Sequence, residues 1–192
     1  AGVPRGEPLV VAVGNVTRGR GQDILIRALP EIRRELPSAR CAIVGSPFPR
    51  RKDLEFAAEL PRIARELGVE DAVALVPGVE RVADAYAAAD VFVNPVRVPE
   101  AFGRASCEAL LAGRPVVAAG VGAVPEVLRD GETAVLVPPD DPSALAAAVL
   151  GVLRDPERAE RISARGRRDV LDRFAPDRAR DAFRRVIERV AR

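Results

Sequence analysis

The sequence predicts an α/β fold: a Rossmann-like, doubly wound parallel sheet of about six strands with helices on both faces, formed by residues 1–192 as a single domain. Short apolar runs alternate strictly with longer segments of helical periodicity, the order that right-handed strand–helix–strand crossovers produce. Each apolar run is nearly continuous, as in strands buried on both faces of a parallel sheet. The length fits one domain, and no repeat, low-complexity tract or linker divides the chain.

The apolar runs define the predicted strands and the loops that follow them. The strands are expected over residues 9–13, 41–44, 72–76, 91–93, 115–118 and 134–137. Ligands of such sheets bind beyond the carboxyl ends of the strands. The loops at those ends cover residues 14–21, 45–51, 77–79, 94–103 and 119–122, and binding residues are expected there.

Helices are predicted between the strands and after the last one. They cover residues 22–36, 53–67, 80–88, 103–112, 125–128 and 142–153, followed by two more, of which the last covers 177–190. The first carries an apolar stripe from Ile24 to Leu36, and Pro30 within it is expected to allow a kink. Gly68 is a natural stop for the second helix.

The composition excludes several kinds of site. There is no His, which excludes a Ser-His-Asp triad, a His general base and a His-ligated zinc within this chain. Absence of Trp, with Tyr86 as the one Tyr, argues against an aromatic stacking platform. Cys41 and Cys107 match neither a zinc pattern nor a disulfide framework, so reduced, buried thiols of a cytoplasmic protein are expected.

Charge and hydropathy narrow the choice of partners. The 30 basic and 28 acidic residues give a net charge of +2, which argues against nucleic acid or an anionic membrane as the main partner. No signal peptide or membrane-spanning apolar run is present, and the lack of Met favours a segment of a longer chain. Lys52 is the only lysine, so an Arg where Lys is usual carries little information.

The loop from Gly14 to Gly21 is suited to an anion. It lacks the G-x-G-x-x-G spacing of a dinucleotide fold, and Arg20-Gly21 stands where a phosphate loop needs Lys followed by Ser or Thr. Its small residues let the backbone approach a ligand, Arg20 offers a cation, and the next helix adds a positive dipole end. A Gly-rich turn with a solvated Arg is an equally weighted alternative for this loop alone.

The segment from Pro99 to Val117 is the most informative. Glu100 follows a strand and therefore lies at the carboxyl edge of the sheet. Phe102 and Gly103 open a helix, whose first amides have no partner within it. Glu108, one turn further, is expected to be half buried. A buried carboxylate without a partner is costly, so ligand hydroxyls would satisfy it.

Glu100 and Glu108, with Phe-Gly after the first and Ala-Leu-Leu-Ala-Gly-Arg-Pro-Val-Val after the second, resemble the donor-site motif of retaining glycosyltransferases with the GT-B fold, closest to family 4. The resemblance covers nearly the whole chain. It extends over Val13-Gly14 with Arg20-Gly21, residues 42–45, 76–78, 89–91 and 131–133.

The resemblance implies a nucleotide-diphosphate sugar, such as a UDP- or GDP-sugar, as substrate, with no cofactor and no metal. Glu108 would bind the ribose, Glu100 the sugar hydroxyls, and Arg20, where the family usually has Lys, the diphosphate. Backbone near Val79 would meet the base. The implied catalytic residues are Arg20 and Glu100, and the implied donor-binding set is Gly14, Asn15, Arg20, Val79, Glu100, Ala101, Phe102, Gly103, Arg104 and Glu108.

One departure from the family pattern concerns the diphosphate. The family often has Arg after the first glycine of this loop, and this chain has Asn15, so one of two usual cations is missing. Either Arg18 substitutes from the same loop, or the leaving group is held less tightly.

The resemblance also implies a partner domain. The chain starts where the second domain of the family starts, so an acceptor-binding N-terminal domain is expected to be absent, together with any peripheral contact that it makes with the inner membrane face. The final helix carries Phe183, Val186, Ile187 and Val190 on one stripe and is expected to pack across the domain interface. A non-catalytic nucleotide-binding or interaction module is the alternative, and an epimerase of the same fold is a weaker one.

Overall fold

A computed structural model describes residues 6–191. Its six strands form one sheet in the order β3-β2-β1-β4-β5-β6, and every neighbouring pair is parallel. The predicted Rossmann-like, doubly wound sheet is therefore confirmed. The strands are β1 Leu9–Val13, β2 Arg40–Val44, β3 Val73–Val76, β4 Val91–Asn94, β5 Val116–Ala119 and β6 Val135–Val137.

Eight α-helices flank the sheet or follow it in residues 6–191. They are α1 Gln22–Glu35, α2 Arg51–Glu66, α3 Val82–Ala88, α4 Arg104–Leu111, α5 Val124–Val127, α6 Pro142–Arg154, α7 Pro156–Phe174 and α8 Pro176–Val190. Short 3-10 turns cover Arg18–Arg20 and Glu70–Ala72. Most boundaries differ from the predicted ones by one or two residues, as expected where helix ends lack a sequence-encoded cap.

One predicted strand boundary needs correction, and one helix contains a proline. The strand predicted from residue 72 begins at Val73, because Ala72 closes the preceding 3-10 turn. α1 is one helix from Gln22 to Glu35 and continues past Pro30. A proline inside a helix costs about 3 kcal/mol, and burial of the apolar stripe from Ile24 to Ile32 offsets it.

The core lies on both faces of the sheet. One apolar cluster joins the sheet to α1, α2 and α6, and a second joins it to α4, α5 and α7. Cys41 and Cys107 are free and buried, so the expectation of buried thiols is confirmed. Burial raises the pKa of the Cys41 thiol to about 12 and that of the Cys107 thiol to about 11.

The last helix differs from the others because none of its residues is buried. Its apolar stripe of Phe183, Val186, Ile187 and Val190 is 52% to 80% exposed. The predicted stripe therefore exists, and it faces away from the described core. Between residues 6 and 191, every helix is too short or too polar to cross a lipid bilayer.

Candidate functional site

The loops after β1, β4 and β5 converge at the carboxyl edge of the sheet. The Arg97 amide donates to the Gly19 carbonyl at 2.9 Å, which joins the loop after β4 to the loop after β1. The Ala123 amide donates to the Glu100 carbonyl at 3.0 Å, which joins the loop after β5 to the same segment. The backbone therefore fixes three loops around one place.

Two glycines permit this close approach. Gly21 has φ +68°, and a Cβ there would lie 2.0 Å from the Pro95 carbonyl oxygen. Gly122 has φ +63°, and a Cβ there would lie 2.6 Å from the Glu100 amide nitrogen. Any side chain would push the loops apart, so these glycines set the positions of Arg20 and Glu100.

Arg20 and Glu100 are the predicted catalytic residues and lie 80 residues apart in the sequence. They form an ion pair through Nη1 of Arg20 and Oε1 of Glu100. The other carboxylate oxygen of Glu100 accepts from Asn94 Nδ2 at 2.9 Å, and Asn94 also donates to Ser106 Oγ at 3.2 Å. The Glu100 side chain is 13% exposed and that of Arg20 is 39% exposed. The Glu100 carboxylate is thus fixed by Asn94, whereas the guanidinium of Arg20 remains partly exposed to solvent.

The start of α4 lies beside this pair. The helix begins at Arg104 with Gly103 as its N-cap, so Phe102 and Gly103 precede it rather than open it. No side chain caps it, and amides of its first turn have no acceptor within the helix. Phe102 packs edge-on against Phe174 of α7, with ring centroids 4.9 Å apart. Ala101 is exposed, like the Arg104 side chain.

Glu108 forms a second, adjacent cluster. Its side chain is 41% exposed, as expected for a half-buried residue. It already has partners: the Tyr86 hydroxyl donates to it at 2.7 Å, and Arg104 Nε lies 3.2 Å away. Glu108 is therefore not a carboxylate without a partner, and its binding of ligand hydroxyls stays a prediction. Burial first, and then the Glu108 hydrogen bond, raise the pKa of Tyr86.

The Arg18 side chain is engaged by α2. Its guanidinium pairs with Glu59 of α2 at 2.7 Å and stacks over the Phe56 ring, 5.0 Å from the centroid. The backbone carbonyl of Asn15 accepts a hydrogen bond from Gln22 Nε2 at 3.0 Å. Arg18 is therefore bound to α2 and does not take the place of the cation that is missing at Asn15.

The remaining donor-site candidates lie along the same edge. The Gly14 amide donates to the Val44 carbonyl at 3.0 Å, which joins the ends of β1 and β2. Val79 follows β3 and is 37% exposed, and the Gly78 amide before it donates to Ser46 Oγ at 3.1 Å. Val79 therefore lies at the carboxyl edge of the sheet, after β3, which is two strands away from β1.

Sequence reasoning missed Asn94, Ser106 and Tyr86. Asn94 carried a signal, since it is a polar residue at the end of an otherwise apolar strand. It also missed Arg97, whose pKa is raised first by its hydrogen bonds to Asp23 and then by Asp140, against the effect of burial. Within residues 6–191, no three His, Cys, Asp or Glu side chains are grouped to bind a metal ion.

Comparisons with known proteins point to one family. The chain is 37% identical over 175 residues to a GDP-mannose-dependent alpha-(1-6)-phosphatidylinositol monomannoside mannosyltransferase of Mycolicibacterium smegmatis, covering 87% of this chain and 44% of that protein. It is 37% identical over 184 residues to a D-inositol 3-phosphate glycosyltransferase of Xylanimonas cellulosilytica, covering 95% of this chain and 42% of that protein. The chain thus spans less than half the length of these curated relatives.

A solved structure has the same fold. The Anabaena protein Alr3699/HepE, crystallised in complex with UDP, matches with a TM-score of 0.88 and 25% identity, over 94% of this chain and 48% of that one. The family model described as glycosyl transferases group 1 matches residues 7–155. The match covers most of the chain, including the loops that carry Arg20, Glu100 and Glu108, and this chain therefore belongs to the family of glycosyl transferases group 1.

Proposed function

We propose that this chain is the donor-binding domain of a retaining glycosyltransferase, and that it holds a nucleotide-diphosphate sugar at the carboxyl edge of its sheet. One observation carries the proposal: Arg20 and Glu100 are in contact there, beside the start of α4. A cation for a diphosphate and a carboxylate for sugar hydroxyls thus stand next to each other.

The diphosphate would lie between Arg20 and the first turn of α4. Arg20 has an exposed face, and a guanidinium can bind two phosphate oxygens at once. The amides of the first helical turn add donors and a positive dipole end. Such electrostatic stabilisation of a departing charge is usually the largest catalytic contribution.

The sugar and the ribose would each meet one carboxylate. Glu100 has its Oε2 fixed by Asn94, so its orientation toward sugar hydroxyls is set before binding. Glu108 is oriented by Tyr86 and would accept from ribose hydroxyls with the part of its carboxylate that remains exposed. Hydrogen bonds of this charged kind contribute about 1.5–3 kcal/mol each.

Transfer with retention would need no base from this chain. The acceptor hydroxyl would attack the sugar on the same face from which the phosphate departs, and the departing phosphate would take the proton of that hydroxyl. The lack of His in the chain is therefore compatible with the reaction. No metal is required in this scheme, because Arg20 and the helix dipole carry the charge stabilisation.

The acceptor would be held by another domain. The mannosyltransferase relative is more than twice as long as the matched segment, and its name specifies GDP-mannose, whereas the Anabaena protein was crystallised with UDP. We propose that the complete enzyme includes an N-terminal acceptor domain. Either UDP or GDP is a reasonable probe of the donor site.

Calorimetry with UDP and GDP tests the proposal. The chain should bind at least one of them, and Arg20→Ala should weaken that binding by roughly 10- to 100-fold, since a charge-assisted contact is lost. In the complete enzyme the same change should lower turnover by about 100-fold. Arg33→Ala is a matched control, because Arg33 pairs with Asp71 before β3, at the opposite edge of the sheet. Equal affinity in parent and Arg20→Ala would remove Arg20 from the site.

A further inference from the structure

Arg97, in the loop after β4, contacts three other segments. Its Nη1 and Nη2 donate to the two carboxylate oxygens of Asp23, both at 2.7 Å. Nη1 also donates to the Arg18 carbonyl at 2.9 Å, and Nε donates to Asp140. The guanidinium therefore links the turn before α1, the first turn of α1 and the loop after β6.

This contact is mostly removed from solvent. The Asp23 side chain is 5% exposed and that of Arg97 is 21% exposed. Two parallel hydrogen bonds between a guanidinium and a carboxylate fix distance and direction together, which a lysine ammonium does not do. Breaking a buried pair from one side leaves an uncompensated charge, so the arrangement resists rearrangement.

Arg97 is connected to both segments that carry the residues proposed for catalysis. The Arg18 carbonyl that it binds belongs to the 3-10 turn ending at Arg20, and the same carbonyl accepts from the Gly21 amide at 3.2 Å. Glu100 follows Arg97 by three residues in the same loop. Val98, between them, packs so closely on Gly19 that a Cβ there would lie 3.1 Å from Val98 Cγ2.

We propose that Arg97 is a positioning residue: it holds the turn that carries Arg20 against the loop that carries Glu100, and it acts on diphosphate binding through Arg20. This inference rests on the proposed function. Arg97 itself does not need to touch the nucleotide, because its guanidinium nitrogens are all engaged by Asp23, Arg18 and Asp140.

A double-mutant cycle on the chain tests the proposal, with UDP and GDP as probes at concentrations up to the millimolar range. Arg97→Gln should weaken binding in the parent by roughly tenfold, within the range for residues of one network. In an Arg20→Ala background the same change should have almost no effect. Arg97→Lys, which keeps the charge and loses the fork, should show the same pattern and serves if Arg97→Gln does not fold.

The matched control is Arg154→Gln, which removes an ion pair to Glu35 between the far ends of α6 and α1 and should leave affinity unchanged. An equal loss from the Arg97 changes with and without Arg20 would overturn the proposal, since it would mean a general structural role. No loss in either background would overturn it as well. If the parent binds neither UDP nor GDP, the proposed function itself fails, and the positioning role fails with it.

Discussion

At the scale of single residues, Arg20 and Glu100 each compete with the ligand for the other's charge. The carboxylate neutralises part of the charge that would attract a diphosphate, and it is itself fixed by Asn94. A nucleotide diphosphate without its sugar offers Glu100 no hydroxyl in return. The pair should therefore favour the intact donor over the nucleotide product.

Glu100→Gln tests this competition. UDP or GDP should bind about fivefold more tightly, corresponding to roughly 1 kcal/mol for a partly exposed ion pair. Transfer by the complete enzyme should fall by about 100-fold, because a charged contact to the sugar is lost. Glu66→Gln, which removes an exposed ion pair with Arg62 at the end of α2, is the control and should leave nucleotide affinity unchanged. Weaker UDP and GDP binding by Glu100→Gln would mean that the carboxylate orients Arg20 instead of competing with its ligand.

Glu108→Gln addresses the ribose contact. Nucleotide affinity should fall by roughly 10- to 100-fold, since a hydrogen bond to a charged group contributes about 1.5–3 kcal/mol. Calorimetry with UDP and GDP measures this. Tyr86→Phe separates orientation from contact: it removes only the hydroxyl that donates to Glu108 and should cost less. If Glu108→Gln binds as the parent does, Glu108 has a structural role only.

At the scale of elements, the loop after β4 packs against a helix, α7, that lies much later in the sequence. Phe174, at the end of α7, packs edge-on against Phe102, and such pairs contribute about 0.5–1.5 kcal/mol beyond their burial. Phe174→Ala should therefore weaken UDP or GDP binding about three- to tenfold by loosening the loop. Phe183→Ala on exposed α8 is the control in the isolated chain. Unchanged affinity in Phe174→Ala would show that the loop is held without α7.

The elements themselves could be predicted from the sequence, because a strand buried on both faces is a continuous apolar run. β4 and β5 were predicted to within one residue for that reason. The partners of polar residues could not be predicted. Arg97 and Asp23 are 74 residues apart, and they meet only because the loop after β4 folds against the first turn of α1. In a chain with so many arginines, Arg97 carried no signal of its own.

At the scale of the whole molecule, the exposed apolar face of α8 is the surface on which an acceptor domain would pack. If it packs on an acceptor domain, Phe183→Asp should lower transfer by the complete enzyme about tenfold, as for a central interface residue. Nucleotide affinity of the isolated chain should not change, because Phe183 lies on the exposed face of α8. A radiolabelled-sugar transfer assay with calorimetry measures both.

Two outcomes would contradict this assembly. Undiminished transfer by Phe183→Asp would mean that the α8 face lies outside the domain interface. Transfer by the isolated chain would mean that no second domain is needed, whereas we expect the isolated chain to bind nucleotide without transferring sugar. A longer protein that binds nucleotide and transfers nothing would favour the non-catalytic module.

Four arginines around the proposed site are each paired with an acidic residue: Arg18 with Glu59, Arg20 with Glu100, Arg97 with Asp23 and Asp140, and Arg104 with Glu108. Such pairing leaves little net field beyond the Debye length, about 8 Å at physiological ionic strength. A multiply charged ligand would then arrive by ordinary diffusion, without long-range steering, and its association rate should change little between dilute buffer and concentrated salt.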